Sequence, residues 1–143
     1  MRLISCVFVL ALFVSGCGGD SGGSTPTAPS ANVPFSTIDL RVGTGAEATN
    51  GRSVAVVYTG WTYVAGATDN KGARFDGGNY SFVLGTGNVI QGWHRGILGM
   101  RVGGQRRLII PPDQAYGNNP PPNQNIIRAN ETLVFDVELI AVQ

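Results

Sequence analysis

The sequence predicts an α+β fold, in which an antiparallel β-sheet of about five strands wraps around one short α-helix. Ser53–Val64 is rich in β-branched and aromatic residues, and apolar side chains alternate with acidic ones over Leu133–Leu139. Such alternation indicates strands with one face on the core. Only Asn88–Leu98 has the apolar spacing of a helix. Glycine-rich turns separate these segments, which is typical of consecutive antiparallel strands.

The first residues of the chain have the organisation of an export signal. Arg2 precedes the apolar run Leu3–Val14, which is shorter than the roughly 20 residues that a membrane-spanning helix needs. The run leads into Val14–Cys17 (VSGC), which resembles the cleavage and acylation box of bacterial lipoproteins. The resemblance implies a signal peptide over residues 1–16 and lipidation of Cys17. The alternative is an ordinary secretory signal in which the cysteine is incidental.

The next segment, residues 17–34, predicts a flexible tether. It consists almost entirely of Gly, Ser, Thr, Pro, Ala and Asn, a composition that cannot form a core. A random coil of this length spans roughly 20–25 Å. Cys6 and Cys17 are the only cysteines, so residues 35–143 contain no disulfide and must be stabilised by their core. We therefore expect one folded domain over 35–143.

The charge balance argues against a nucleic-acid partner. The chain has ten Lys and Arg residues and nine Asp and Glu residues, and loss of Arg2 with the signal would leave nine of each. No basic stripe then remains to neutralise phosphates. We expect a monomer whose only attachment to a bacterial cell membrane is its lipid, on the periplasmic or cell-surface side. Stable anchoring of this kind takes more than one acyl chain.

Three further strands complete the predicted sheet. Tyr80–Leu84 and Gln105–Ile110 have strand composition, and Thr37–Val42 has a weaker strand pattern. We expect a turn at Asp69–Gly72, because Asp, Asn and Gly are typical turn residues.

The predicted helix has an apolar face and recognisable ends. Asn88 followed by Gln91 resembles a capping box, which would begin the helix at Asn88. Gly99 suits the left-handed position just past a helix end. The apolar face consists of Ile90, Trp93, Ile97 and Leu98.

Two other patterns lack the context that their chemistry needs. Gly43–Ala48 fits the dinucleotide-binding pattern G-x-G-x-x-A, but Asn50-Gly51 would interrupt the helix that must follow. His94 is the only histidine and has neither a nucleophile-elbow motif nor a mature cysteine to work with. We interpret the first pattern as a turn and His94 as a surface residue, and we expect no metal and no cofactor.

Seven short motifs occur in one order between about Thr37 and Val142. They are Val57–Gly60, Phe75–Gly78, Phe82–Gly85, Val89–Trp93, Val102–Gly104, Ala115–Gly117 and Thr132–Leu139. Each is weak alone, but in this order they resemble the FKBP-type peptidyl-prolyl cis-trans isomerase family. The resemblance implies that family's fold and an activity that accelerates rotation about X-Pro bonds. With the export signal, it implies assistance to the folding of proteins outside the cytoplasm.

The resemblance also implies a hydrophobic pocket with a polar rim. Trp93 would form its floor, and the backbone N–H of Ile90 would donate a hydrogen bond to a carbonyl of the ligand. The implied catalytic residues are Asp76, Tyr116, Trp93 and Phe135. The implied substrate-binding residues are Tyr58, Phe75, Tyr80, Phe82, Val89, Ile90 and Ile127.

Rotation about an X-Pro bond breaks no covalent bond, so it requires neither a nucleophile nor a metal. Amide resonance maintains a barrier of about 18–20 kcal/mol, and uncatalysed exchange takes roughly tens to hundreds of seconds. The twisted amide has lost much of its carbonyl dipole, so an apolar pocket favours it over the planar amide that water favours. Tighter binding of the twisted state accelerates the rotation.

Some alternatives remain open at this level. Asp76 would either act directly on the substrate or accept a hydrogen bond from Tyr58 and maintain the pocket's shape. A non-catalytic chaperone module would use the same groove to hold Pro-containing segments, and a structural envelope protein would retain it as a vestige. The resemblance implies proline-containing polypeptides as partners and macrolides of the tacrolimus or rapamycin type as inhibitors.

The chain departs from the family's pattern in three places. The segment between Gly60 and Phe75 is longer than in compact members, and the segment between Gly78 and Phe82 is much shorter. The loop of residues 118–129 lacks the usual His, and Arg128-Ala129 stand where the family usually has two prolines after the Ile pair. Macrolide affinity and substrate preference are therefore the least transferable properties.

Overall fold

The computed structural model describes residues 33–143. The predicted signal peptide at 1–16, Cys17 and the predicted tether up to residue 32 lie outside the described residues. Within 33–143, one five-stranded antiparallel sheet packs against one short α-helix, which confirms the predicted fold class. No helix in this part of the chain is both long and apolar enough to cross a membrane.

The five strands form one sheet in the order β1-β4-β5-β2-β3, so β1 and β3 are its edges. All neighbouring strands are antiparallel. The strands are β1 (Ser36–Arg41), β2 (Ser53–Tyr63), β3 (Lys71–Val83), β4 (Gln105–Ile110) and β5 (Leu133–Val142). Only β3 departs widely from the prediction, because it begins at Lys71 rather than Tyr80. Its first half has weak strand composition, and pairing with β2 extends it.

The predicted turn before β3 is present and begins one residue early. A single 3₁₀ turn at Thr68–Asn70 precedes the strand, and Asp69 and Asn70 have φ of 58° and 55°. Asp and Asn are enriched among residues that adopt this left-handed region. Gly43–Ala48 is an extended loop with one β-bridge, from Glu47 to Arg101, and not the predicted turn, which lies later at Asn50-Gly51.

The helix α1 spans Gln91–Ile97, and two of its glycines let it lie close to the sheet. A Cβ at Gly92 would clash with the Ile110 side chain of β4, and one at Gly96 would lie 2.6 Å from Leu108. Trp93 and Ile97 are buried on the face that meets the sheet, so the core lies between α1 and the sheet's inner side.

The predicted ends of the helix are partly wrong. Ile90, not Asn88, is the N-cap, and its side chain makes no capping hydrogen bond, so the capping-box prediction is wrong. Gly99 has φ 79° and takes the left-handed position after the helix as predicted. Leu98 is 43% exposed, because it is the extended C-cap residue and turns out of the apolar face.

The opposite side of the sheet carries a cluster of ionic side chains, which we call the ion-pair cluster: Asp69, Lys71, Arg107 and Asp136. Arg107 donates from Nε to Asp136 Oδ1 at 2.7 Å and from a terminal nitrogen to Oδ2 at 3.0 Å. Lys71 Nζ lies 2.7 Å from Asp136 Oδ2, and Asp69 Oδ1 lies 2.8 Å from Arg107. The cluster therefore ties the turn before β3 to β4 and β5. The hydrogen bond to Asp136 raises the pKa of Arg107 further.

Candidate active site

A cavity of about 190 Å³ opens between the sheet and the beginning of α1. Nine of the ten residues that line it belong to the predicted site, and the tenth is Asn88. The lining residues are Tyr58, Phe75, Asp76, Tyr80, Asn88, Val89, Ile90, Trp93, Tyr116 and Phe135.

Strand pairing brings the aromatic walls together. Tyr58 lies on β2, Phe135 on the adjacent β5, and Phe75 and Tyr80 on β3. Gly60 faces Phe135 in the ladder, and a Cβ on it would lie 2.7 Å from Phe75 and 2.8 Å from Phe135. Only glycine at this position leaves the space that both rings occupy.

Trp93 in the first turn of α1 closes the bottom of the cavity. Its side chain is only 5% exposed, and its ring centroid lies 4.9 Å from Tyr58 and 5.5 Å from Phe135. Tyr80 is 6.3 Å away across the cavity. These separations and tilts are those of favourable edge-to-face aromatic pairs, so the walls support one another.

The polar side of the cavity is a hydrogen-bonded pair. Tyr58 Oη donates to Asp76 Oδ2 at 2.8 Å, and the backbone N–H of Gly77 donates to Asp76 Oδ1 at 2.8 Å. Both carboxylate oxygens therefore have a partner, which favours a shape-maintaining role for Asp76. Burial, with the hydrogen bond to Asp76, raises the pKa of Tyr58 to about 12. Burial also raises the pKa of Tyr116, to which the charge of Asp76 contributes.

The Tyr58–Asp76 pair should be visible in the tyrosine titration. In wild-type protein one tyrosine should ionise near pH 12, and Asp76→Asn should lower that pKa, because the neutral amide removes the charge that opposes ionisation. Since the folded pKa lies above the unfolded value of about 10, the pair's contribution to stability is complete below pH 10 and disappears as the pH rises towards 12. Ultraviolet difference absorbance measures the titration, and Asp113→Asn is the control. An unchanged titration in Asp76→Asn would contradict this coupling.

Two of the predicted substrate-binding residues, Phe82 and Ile127, are not among the side chains that line the cavity. Phe82 is 5% exposed and packs behind Trp93 and against the His94 ring, at centroid distances of 5.8 and 5.7 Å. Ile127 is 4% exposed and belongs to the hydrophobic core. Direct contact of these two side chains with a substrate stays a prediction, since α1 covers Phe82 and the core encloses Ile127.

Two residues have a different place from the one the sequence indicates. Asn88 lines the cavity because the helix begins after it. Its position directly before Val89, a predicted site residue, is the feature of the sequence that could have indicated this. His94 is half-buried rather than a surface residue. Its Nδ1 accepts a hydrogen bond from the Gly85 N–H at 3.0 Å, so it joins α1 to the turn after β3.

Residues 33–143 include no group of three or more His, Cys, Asp and Glu side chains arranged to hold a metal ion. The cavity instead combines rigid aromatic walls, a Trp floor and one Tyr–carboxylate pair. Apolar walls with a few polar groups are typical of sites that bind a small, largely apolar group.

The family model for FKBP-type peptidyl-prolyl cis-trans isomerases matches residues 45–140 of the 143-residue chain, and the chain belongs to this family. It is 45% identical over 121 residues to FK506-binding protein 4 of Neurospora crassa, covering 82% of this chain and 24% of that protein. It is 41% identical over 110 residues to the chloroplastic isomerase FKBP16-4 of Arabidopsis thaliana, covering 73% and 46%. The chain thus spans less than half the length of these relatives.

Solved structures share the fold. AtFKBP13 superposes with a TM-score of 0.64 at 31% identity, covering 76% of this chain and 93% of that one. A peptidyl-prolyl cis-trans isomerase of Pseudomonas syringae pv. tomato has a TM-score of 0.63 at 34% identity, with coverages of 76% and 75%. FkpA of Escherichia coli has a TM-score of 0.61 at 34% identity, with coverages of 76% and 48%.

Proposed function

We propose that this protein is a peptidyl-prolyl cis-trans isomerase that assists the folding of proteins outside the cytoplasm. The observation that carries the proposal is the aromatic cavity above Trp93, in a chain of the isomerase family. The ring of a substrate proline would lie on Trp93 between the walls of Tyr58 and Phe135. This apolar setting favours the twisted amide over the planar one.

Two polar groups would orient the substrate at the mouth of the cavity. Ile90 is the N-cap of α1, so its N–H is not used by the helix's own hydrogen bonds and can meet a carbonyl of the substrate. Tyr116 lines the same cavity from the loop after β4. Its hydroxyl can donate a hydrogen bond at neutral pH, because the ordinary pKa of tyrosine is about 10 and burial raises the pKa of Tyr116 further.

The test is a protease-coupled assay on a chromogenic tetrapeptide with one X-Pro bond. The purified protein should accelerate cis-to-trans conversion in proportion to its concentration. Absence of any acceleration would reject the isomerase. Suppressed aggregation of an unfolded client without acceleration would instead support the non-catalytic chaperone module. We also expect inhibition by tacrolimus or rapamycin. Their affinity is among the properties that transfer least from the family, because the loop of residues 118–129 is altered.

Tyr116→Phe should lower kcat/KM for the tetrapeptide by about two- to tenfold, the effect of losing one neutral hydrogen bond. The melting temperature should change little, because the ring and its packing remain. Tyr63→Phe is the matched control, since Tyr63 lies at the end of β2 and does not line the cavity. Equal activity of Tyr116→Phe and wild type would remove Tyr116 from the proposed mechanism.

Export and lipid attachment form a separate part of the proposal. The names of two relatives refer to a nucleus, in Drosophila melanogaster, and a chloroplast, in Arabidopsis thaliana. The extracytoplasmic location therefore rests on the sequence before residue 33, in particular the apolar run and Val14–Cys17.

Cys17→Ser should move the protein from the membrane fraction to the soluble fraction of an expressing bacterium, because serine cannot carry the thioether-linked lipid. Cell fractionation followed by detection of the domain measures this. Cys6→Ser is the matched control, since Cys6 lies inside the apolar run and should leave the distribution unchanged. Membrane attachment of Cys17→Ser equal to that of wild type would refute lipidation.

A further inference from the structure

β3 is an edge strand whose second half lacks the features that usually prevent pairing with another strand. It has 13 residues, and its second half keeps a continuous register with β2 from Asp76 to Val83. Its irregularities of register lie earlier, next to Trp61 of β2. Gly77–Val83 contains no proline and no charged residue. Proteins usually protect an edge with charges, prolines or bulges, and this part of β3 has none of them.

The hydrogen-bonding directions along β3 follow from one bond at its end. The Leu84 N–H donates to the Arg52 carbonyl at 2.9 Å, so the backbone N–H and C=O groups of Leu84 point towards β2. Because facing alternates along a strand, Phe82 and Tyr80 also face β2, whereas Ser81 and Asn79 direct their N–H and C=O groups away from the sheet. Among the residues that the structure describes, no other strand lies beyond this edge.

Two of the outward groups on either side of this pair already have partners. The Val83 carbonyl accepts hydrogen bonds from the Thr86 N–H and hydroxyl, and the Gly77 N–H donates to Asp76. The open part of the edge is therefore short and well defined. Its centre consists of the two N–H and two C=O groups of Asn79 and Ser81, and the outward Val83 N–H and Gly77 C=O adjoin it.

This open edge is continuous with the cavity. Tyr80 lies between Asn79 and Ser81, is 42% exposed, and lines the cavity with its ring 6.3 Å from that of Trp93. A strand paired with β3 would lie about 4.8 Å from it. The residue before a proline is confined to extended conformations, so a polypeptide leaving the cavity past Tyr80 already has the conformation that an edge strand pairs with.

We propose that the β3 edge at Asn79 and Ser81 pairs with an extended segment of the same polypeptide whose proline occupies the cavity. This inference rests on the proposed function and extends its site beyond the X-Pro unit. Recognition would use the backbone of the client, with little dependence on its side chains. The preferred substrate class is therefore an unfolded chain several residues longer than the X-Pro unit.

The other edge of the sheet does not have this character. β1 carries Asp39 and Arg41, which form ion pairs with Arg106 and Glu138 across the sheet. Charged side chains of this kind discourage strand addition. The two edges of the sheet therefore differ, and only the β3 edge adjoins the cavity.

Backbone N-methylation of the substrate tests the proposal on the wild-type protein. A ten-residue peptide with one central X-Pro bond is prepared with a single N-methyl group at each position in turn. On one side of the proline, methylation at alternate positions should lower kcat/KM about fivefold, the effect of one lost hydrogen bond, and methylation at the positions between should have no effect. Equal values at all positions would overturn the inference.

Protein variants give an independent measurement, the ratio of kcat/KM for the ten-residue peptide to that for the tetrapeptide. Asn79→Pro and Ser81→Pro remove outward N–H groups and leave the bonds to β2 in place, so the ratio should fall about fivefold. Asn79→Ala and Ser81→Ala keep the N–H groups and should retain the wild-type ratio. Unchanged ratios in well-folded proline variants would overturn the inference, and if they unfold, the N-methyl series decides.

These outcomes separate the two proposals. If wild-type protein fails to accelerate even the tetrapeptide, the proposed function is wrong and the inference fails with it. If the tetrapeptide is turned over but the ten-residue series shows no alternation, the isomerase stands and only the β3 subsite is rejected.

Discussion

Trp93→Ala should abolish binding of proline-containing peptides and lower the free energy of unfolding by about 3–5 kcal/mol. The loss is large because this side chain is 5% exposed and contacts the walls formed by Tyr58 and Phe135. Without it, the cavity would lose its floor and open into the core. Urea unfolding gives the stability, and the protease-coupled assay gives the activity.

The chain's other tryptophan provides the control. Trp61 lies outside the cavity, and Lys71 Nζ lies 3.9 Å from its ring centroid. Trp61→Ala should lose only an ion–aromatic contact of about 0.5–1 kcal/mol together with some packing, and should keep its activity. A Trp93→Ala variant that retained full turnover would show that the reaction takes place elsewhere.

Asp136→Ala should lower the free energy of unfolding by about 3 kcal/mol, because it leaves Arg107 and Lys71 with only the half-exposed carboxylate of Asp69 as counter-charge. Asp136 accepts two hydrogen bonds from Arg107, which is 9% exposed, and one from Lys71. Asp69→Ala is the matched control within the ion-pair cluster. Its carboxylate is 49% exposed, so the expected loss is at most about 1 kcal/mol.

The pKa of Asp136 predicts how the stability of the protein changes at low pH. Burial alone would raise the pKa of Asp136, but the hydrogen bonds from Arg107 and Lys71 outweigh it and leave the pKa below its ordinary value. The contribution to stability is therefore complete above the unfolded pKa of about 3.9 and is lost as the pH falls below it. Unfolding midpoints measured from pH 6 to pH 2 should converge for wild type and Asp136→Ala. Parallel curves would contradict this assignment.

Sequence periodicity predicts some strands of this fold much better than others. Leu133–Leu139 was predictable because β5 directs alternate residues such as Phe135 and Val137 into the core. β1 is exposed at every position, so its pattern carries a weaker signal. The first half of β3 was not predictable, since Gly72 and Arg74 have little strand preference and only pairing with β2 holds them in the sheet.

Most of the candidate site follows from ordered motifs, but two kinds of feature do not. Motifs show which side chains lie near a pocket without showing which of them face it, so Phe82 and Ile127 were predicted to bind substrate although neither lines the cavity. The ion-pair cluster joins residues from the 3₁₀ turn, β3, β4 and β5. In the sequence, single charged residues in separate strands look like ordinary surface positions. Only the register of β4 with β5 shows that Arg107 lies opposite Asp136.

The strand order determines at what stage of synthesis the binding cavity can form. β5 is the last strand along the chain, yet it lies between β4 and β2. A ribosome delivers the N-terminal end first, so β1 with β4 and β2 with β3 emerge as two strand pairs without a common edge. Phe135 lies on β5, the strand that joins the two pairs, so the cavity wall that it forms is completed last. A nascent chain therefore has no cavity until β5 has been translated, and it cannot catalyse its own early folding.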